Sequence, residues 1–281
     1  MRSVAVVGAG TMGNGIAHVF GQFGWRVTLI DVSPEALERG LGLIGKNLER
    51  QVQKGTLTRE ESEAALARIV TAGDLEAAAG SELVVEAASE NPETKFAIFR
   101  DLAQYCPGDT ILASNTSSIS ITEIAGHARH PERIIGMHFM NPVPVMKLVE
   151  VIRGHHTAAG TLDRVMQLAR ELDKVPVEVS DYPGFVSNRV LMPMINEAIF
   201  CVMEGVATAE AVDTVMKLGM AHPMGPLTLA DLIGLDVCLS IMTVLHQGLG
   251  DDKYRPCPLL RRMVAAGDLG RKTGRGFYSY G

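Results

Sequence analysis

The sequence predicts an α/β fold: a doubly wound, mostly parallel sheet followed by an all-α C-terminal domain. Three observations carry this. Short β-branched runs alternate with amphipathic segments from Ser3 to about Val179. A glycine pattern, Gly8-Ala9-Gly10-Thr11-Met12-Gly13, stands between the first run and the first amphipathic segment. Beyond the turn Asp181-Tyr-Pro-Gly184 the strand signals stop and only helical periodicity is left.

The composition bounds the function. The chain has 281 residues, 47% hydrophobic and 21% charged, which suits one large domain or two. The formal net charge is −6, the wrong sign for a nucleic-acid-binding surface spread over the chain. Cys106, Cys201, Cys238 and Cys257 lie far apart with no ligand spacing, so no metal site and no disulfide framework is expected. Reduced thiols fit a cytoplasmic protein. No uncharged apolar run reaches about 18 residues, the usual floor for a membrane span; residues 232–245 come closest, and Asp236 interrupts them. The first strand is expected to begin at Ser3 and run straight into the glycine loop, so no signal peptide is expected.

Residues 3–7 read as a strand and 12–23 as a helix with Ile16, Val19, Phe20 and Phe23 at helical spacing. The next strand, 25–30, ends in Asp31. Glycine pattern, flanking strand and helix, and an acidic residue about 20 positions on make a Rossmann-type dinucleotide site. Gly8 permits a tight turn, Gly10 lets a pyrophosphate approach, and Gly13 lets helix and strand pack closely. The helix end at Thr11 and Met12 offers free N–H groups to the phosphates. Asp31 suits two ribose hydroxyls and repels a 2′-phosphate, so NAD is expected rather than NADP.

After Pro34 a long helix carries the stripe Leu37, Leu41, Ile44, Leu48 and Val52, with Arg39, Lys46, Arg50 and Lys54 on its other face. Thr58–Glu61 has the form of a capping box opening a second helix. The result is a projecting helical hairpin over about 34–69, whose basic face is either a solvated surface or a polyphosphate contact. Leu83–Ala87 and Thr110–Ser114 read as buried strands, and Asn91-Pro92 as a helix start between them. Glu90, Lys95, Asn115, Ser117 and Ser118 then fall at or near strand carboxyl ends, where open α/β sheets bind ligands. A Ser/Thr turn that merely caps the next helix is the structural alternative.

Residues 134–150 read as a strand, a Pro-rich turn and a returning strand, with His138 in one arm and Glu150 in the other. A carboxylate that fixes an imidazole ring makes it a general base; taken alone, the pair reads first as a structural one, as most such pairs are. A helix over 157–172 and a strand over 175–179 complete the N-terminal domain, 1–183. In 184–281, helices are expected at 185–204, 208–218, 226–247 and 257–266. Two of them are apolar nearly all round, which predicts a homodimer through this domain. Asn188 is an amide in an apolar helix just past the boundary.

The stretch from Asn115 to Glu150, Pro183–Arg189, His222–Pro226 with Leu229–Asp236, and Leu269–Tyr278 together resemble the 3-hydroxyacyl-CoA dehydrogenase family, over essentially the whole chain. The resemblance implies NAD-dependent hydride transfer between a short (S)-3-hydroxyacyl-CoA, such as 3-hydroxybutyryl-CoA, and its 3-oxo form, acetoacetyl-CoA. It implies that His138 is the catalytic base, Glu150 its orienting partner, and Ser117 and Asn188 the substrate contacts. Cofactor contacts would be Gly8, Gly10, Thr11, Met12, Gly13, Asp31, Glu90, Lys95, Asn115, Ser117 and Lys272. The hairpin would project toward CoA, with Lys46, Arg50 and Lys54 the candidates for its phosphates. A dehydrogenase of a free 3-hydroxy acid commonly uses a Lys as acid/base, against which His138 backed by Glu150 argues. A non-catalytic NAD(H)-binding protein would not need the set Ser117, His138, Glu150 and Asn188.

Overall fold

The computed structural model describes residues 2–281 and divides into two compact units, one ending at Asp181 and one spanning Tyr182–Gly281. The first unit runs β1 (Ser3–Val7), α1 (Thr11–Gln22), β2 (Arg26–Ile30), α2 (Pro34–Gln53), α3 (Arg59–Ala67), β3 (Ile69–Ala72), β4 (Leu83–Glu86), α4 (Pro92–Tyr105), β5 (Ile111–Ser114), α5 (Ile121–Gly126), β6 (Ile134–Phe139), β7 (Leu148–Arg153), α6 (Ala159–Glu171) and β8 (Val175–Ser180).

These strands form one sheet in the order β3-β2-β1-β4-β5-β6-β7-β8. Every neighbouring pair is parallel except β6 and β7. The chain reverses its direction of winding between β1 and β4, which opens a crevice at the carboxyl ends of those strands. The central strands are buried along their length, as parallel strands covered on both faces must be. Val4, Val6, Phe20, Trp25, Leu29, Leu83, Val85, Ala113, Met137 and Val151 meet in one core. β8 lies at the sheet edge, where Pro176 removes no ladder bond that the sheet needs.

Local chemistry sets the helix ends. Ser33 accepts from Ala36 N with Pro34 at the first helical position. Thr58 and Glu61 form the expected reciprocal capping box at α3. Asn91 accepts from Thr94 N ahead of Pro92. Each such cap contributes about 1 kcal/mol. The stripe of α2 buries Leu37, Ile44 and Leu48 and half-buries Leu41 and Val52.

Two expectations change. β3 was not expected: Ile69–Ala72 is a short strand at the sheet edge, with Val70 and Thr71 exposed, so it lacks the apolar run of its neighbours. The single helix expected over 226–247 is two, α9 (Pro226–Ile233) and α10 (Leu235–Leu249), bent by 99°. Gly234, at φ +105°, makes the break; an unbroken apolar pattern cannot reveal a corner that one glycine permits. No single helix among the described residues is long and apolar enough to cross a membrane.

The second unit also holds α7 (Ser187–Met203), α8 (Ala209–Thr214) and α11 (Pro258–Ala265). Met192, Ile195, Ile199, Leu227, Leu235, Met242, Leu245 and Leu260 form its core. Two buried carboxylates organise the C-terminal segment. Asp231 accepts from Phe277 N, Tyr278 N and Tyr280 Oη, each at 3.0 Å. Asp213 accepts from Leu227 N (2.8 Å), Thr228 N (2.9 Å), Thr228 Oγ1 (2.6 Å) and Tyr278 Oη (2.8 Å). Gly270 and Gly276 lie so close to Asp231 that a Cβ at either would stand 2.3 or 2.1 Å from it. Burial and the neighbouring carboxylates push the Tyr278 and Tyr280 phenols above the usual range, so they stay protonated and donate.

Candidate active site

The crevice between β1 and β4 has a volume of about 630 Å³. Gly8, Gly10, Thr11, Met12, Asp31 and Ala88 are among its lining residues. Gly8 has φ +101°, and a Cβ there would stand 2.6 Å from Ala87 O. A Cβ on Gly13 would lie 1.7 Å from Gly8 O, so loop and helix can close only with glycine at both positions. The Cβ direction of Gly10, by contrast, meets nothing within 4 Å. No side chain caps the N-terminus of α1. Open space at Gly10 and uncapped N–H groups suit a pyrophosphate.

Asp31 ends β2 at the crevice. Its Oδ2 accepts from Ala9 N at 2.8 Å and its Oδ1 from Ser33 N at 2.9 Å. One bond anchors the carboxylate to the glycine loop and the other to the start of α2. Each oxygen keeps acceptor capacity for a hydroxyl, and the negative charge opposes a phosphate there. The residues present therefore fit a dinucleotide with a free ribose diol.

The second focus lies on the hairpin of β6 and β7. His138 and Glu150 are register partners, and both are buried. His138 Nδ1 meets Glu150 Oε2 at 2.8 Å, and Nε2 meets Ser117 Oγ at 3.1 Å. An ionised carboxylate only accepts, so Nδ1 carries the proton of the neutral ring. Nε2 is then the basic nitrogen, and the Ser117 hydroxyl donates to it. The arrangement holds an imidazole in one tautomer with its basic atom beside a hydroxyl.

A chain of polar groups, buried at Glu86 and Lys95 and exposed at Glu90, supports Ser117. Glu86, at the end of β4, takes Lys95 Nζ at 2.6 Å, Ser114 Oγ at 2.6 Å and Ala88 N at 2.7 Å. Lys95, 1% exposed, also stands 3.4 Å from Glu90 Oε2. Glu90 Oε1 accepts from Thr116 Oγ1 (2.7 Å), Ser117 N (2.8 Å), Ser118 N (3.1 Å) and Ser118 Oγ (3.1 Å). Asn115 Oδ1 accepts from Phe139 N at 2.9 Å, tying the end of β5 to the residue after His138. Glu90, Lys95 and Asn115 thus shape the loop that carries Ser117.

Sequence reasoning assigned no role to Glu86 or Ser114. A lone carboxylate in the apolar run Leu83–Ala87 was the available signal, since a charge in a buried strand needs a partner.

The remaining candidates lie on the helical hairpin of the first unit and in the second unit. Lys46, Arg50 and Lys54 lie exposed on α2 and just beyond it, and Arg59 of α3 pairs with Glu49 to close the hairpin. Asn188 is buried in the first turn of α7. Lys272 Nζ holds both oxygens of Asp236, at 2.5 and 2.6 Å.

Comparison with known proteins agrees with this geometry. Residues 3–182 match the family model for the 3-hydroxyacyl-CoA dehydrogenase NAD binding domain, and residues 184–280 that for the C-terminal domain. A probable 3-hydroxybutyryl-CoA dehydrogenase of Bacillus subtilis (strain 168) is 59% identical over 280 residues, covering 100% of this chain and 98% of the relative. The 3-hydroxybutyryl-CoA dehydrogenase of Bradyrhizobium diazoefficiens is 54% identical over 280 residues, covering 100% and 96%. The crystal structure of (S)-3-hydroxybutyryl-CoA dehydrogenase from Ralstonia eutropha matches with a TM-score of 0.97 at 48% identity, covering 100% of this chain and 99% of that one. With both family domains matched in order and relatives of this identity matched over their full length, this chain belongs to the 3-hydroxyacyl-CoA dehydrogenase family.

Proposed function

We propose that this chain is an NAD-dependent dehydrogenase that interconverts (S)-3-hydroxybutyryl-CoA and acetoacetyl-CoA. The observation that carries the reading is the line Ser117 Oγ–His138 Nε2, His138 Nδ1–Glu150 Oε2. Nicotinamide, when bound, supplies the hydride acceptor, and the chain supplies binding, orientation and proton transfer. His138 Nε2 takes the proton of the substrate 3-hydroxyl, and in the reverse direction returns it to the developing alkoxide. Glu150 stabilises the imidazolium that forms. Ser117 holds the substrate oxygen beside Nε2, and Asn188 is a further candidate for substrate binding. Gly8, Gly10, Thr11, Met12 and Gly13 receive the pyrophosphate, and Asp31 the adenosine ribose. Glu90, Lys95 and Asn115 shape the nicotinamide end, and Lys272 is the remaining cofactor-side candidate. Lys46, Arg50 and Lys54 give α2 a basic face suited to the phosphates of CoA.

The reading includes a homodimer formed by the second unit. Its support is apolar surface out of proportion to a domain that small: Val190, Val206, Leu218 and Met220 are each at least 60% exposed. Four free thiols support a reducing, cytoplasmic setting.

The test is the rate of NADH oxidation with acetoacetyl-CoA, compared with free acetoacetate and with NADPH. Turnover that needs both the thioester and NADH is expected. Turnover of the free acid would replace the substrate class, and tight NADH binding without turnover would make this a non-catalytic binding protein. Sedimentation at micromolar concentration checks the dimer.

A further inference from the structure

The turn that joins β6 to β7 decides whether His138 and Glu150 stay opposite each other. It runs from Met140 to Lys147, and its Pro142, Pro144 and irregular backbone provide few amide donors. Pro142 O is met by Val145 N and Met146 N, at 3.0 and 2.9 Å. Val143 O and Met146 O are met by a side chain, Lys174 Nζ, at 2.6 and 2.8 Å. Lys174 stands just ahead of β8, whose register with β7 places Val177 beside Glu150.

We propose that Lys174 is a positioning residue for the reaction: its ammonium fixes the turn that holds the His138–Glu150 pair in register. The inference rests on the dehydrogenase reading above and adds a residue to it.

Three features favour positioning over plain packing. Lys174 is buried, yet its ammonium meets main-chain carbonyls rather than a carboxylate. The neighbouring acid, Asp173, pairs with Lys147 at the surface instead. Burial, with the Lys147 charge beside it, holds the Lys174 ammonium below the usual lysine range. An ammonium kept in such a place is justified by the two strong bonds it makes.

The turn is also gripped from the cofactor side. Val143 packs on α1 at Gly15, where a Cβ would lie 3.0 Å from two Val143 atoms. One turn further along α1, His18 is buried and held neutral, its pKa lowered to about 4 by burial and, to a smaller extent, by Lys174. Gln51 meets His18 Nε2 at 3.2 Å. The helix that begins at the pyrophosphate loop and the turn behind the catalytic pair therefore share one contact.

The experiment compares wild type with Lys174→Met, which keeps the stem and removes the donors, and Lys174→Gln, which keeps one donor group. Turnover of acetoacetyl-CoA by the wild type comes first, and its absence would sink the dehydrogenase reading and with it the role given to Lys174. Given turnover, kcat per folded molecule should fall roughly 10- to 100-fold in Lys174→Met, the usual effect of a displaced catalytic geometry. Lys174→Gln should be intermediate. NADH affinity and the KM for acetoacetyl-CoA should hold in both. An unchanged kcat in Lys174→Met, even with a lower Tm, would overturn the proposal while leaving the dehydrogenase reading intact. So would failure of both variants to fold, which would make Lys174 a folding residue.

Discussion

His138 and Glu150 face each other across the one antiparallel pair of the described sheet, Nδ1 to Oε2 at 2.8 Å. Because side chains alternate along a strand, a slip of one residue in either arm would turn that member to the opposite face. The general base proposed here is thus a property of strand register as much as of residue type. His138→Gln should lower kcat by about 10²–10⁴-fold, the share of a general base. NADH binding, measured by fluorescence, should survive, and near-normal turnover would refute the assignment.

Asp31 is held by Ala9 N and Ser33 N, so its carboxylate is fixed at the crevice, where the proposed function places the adenosine ribose. Asp31→Ala should weaken NADH and improve the relative use of NADPH. The ratio of kcat/KM for the two cofactors is the measurement, and a ratio that does not move excludes the ribose role.

Glu90 gathers four donors from Thr116, Ser117 and Ser118 on one oxygen. In Glu90→Ala the loop carrying Ser117 loses its anchor. Turnover should drop roughly 10- to 100-fold through misplacement of the hydroxyl beside His138. Equal kcat in variant and wild type would show that the loop holds its shape without the carboxylate.

His18 gives a pH signature. Above its unfolded value of 6.5 the ring is neutral in both states and contributes no pH dependence. Between 6.5 and about 4 the unfolded chain takes up a proton that the folded chain refuses, so stability falls as pH falls. Below about 4 the loss is complete, at about 3 kcal/mol. Urea unfolding of wild type and His18→Gln from pH 7 to pH 4 isolates the effect as a difference. Parallel curves would mean that the imidazole is protonated in the folded state.

Much of this was legible in the sequence. The glycine loop, Asp31 and the capping box at Thr58 act over a few residues, so their pattern is local and survives in the chain as text. The hairpin was legible because Pro-rich turns between two apolar runs reverse a chain. The corner at Gly234 was not, since apolar periodicity continues through it and only backbone φ records the bend. Edge strand β3 is half polar and short, and is defined by its neighbour rather than by itself. Glu86, Lys95 and Glu90 find one another only when β4 and α4 pack, which no spacing rule reports.

The two carboxylates of the second unit set an order of events during synthesis. Asp213 and Asp231 leave the ribosome well ahead of the donors at residues 277–280 that they require. Until those residues emerge, Asp213 and Asp231 cannot take up their buried places on α8 and α9 with a full set of donors. The nascent helices therefore have every reason to stay loose, exposing Leu227 and Ala230, while the first unit, which ends at Asp181, has already emerged and is free to fold. Chaperone dependence of this protein should accordingly concentrate on the interval between translation of α9 and translation of Tyr280.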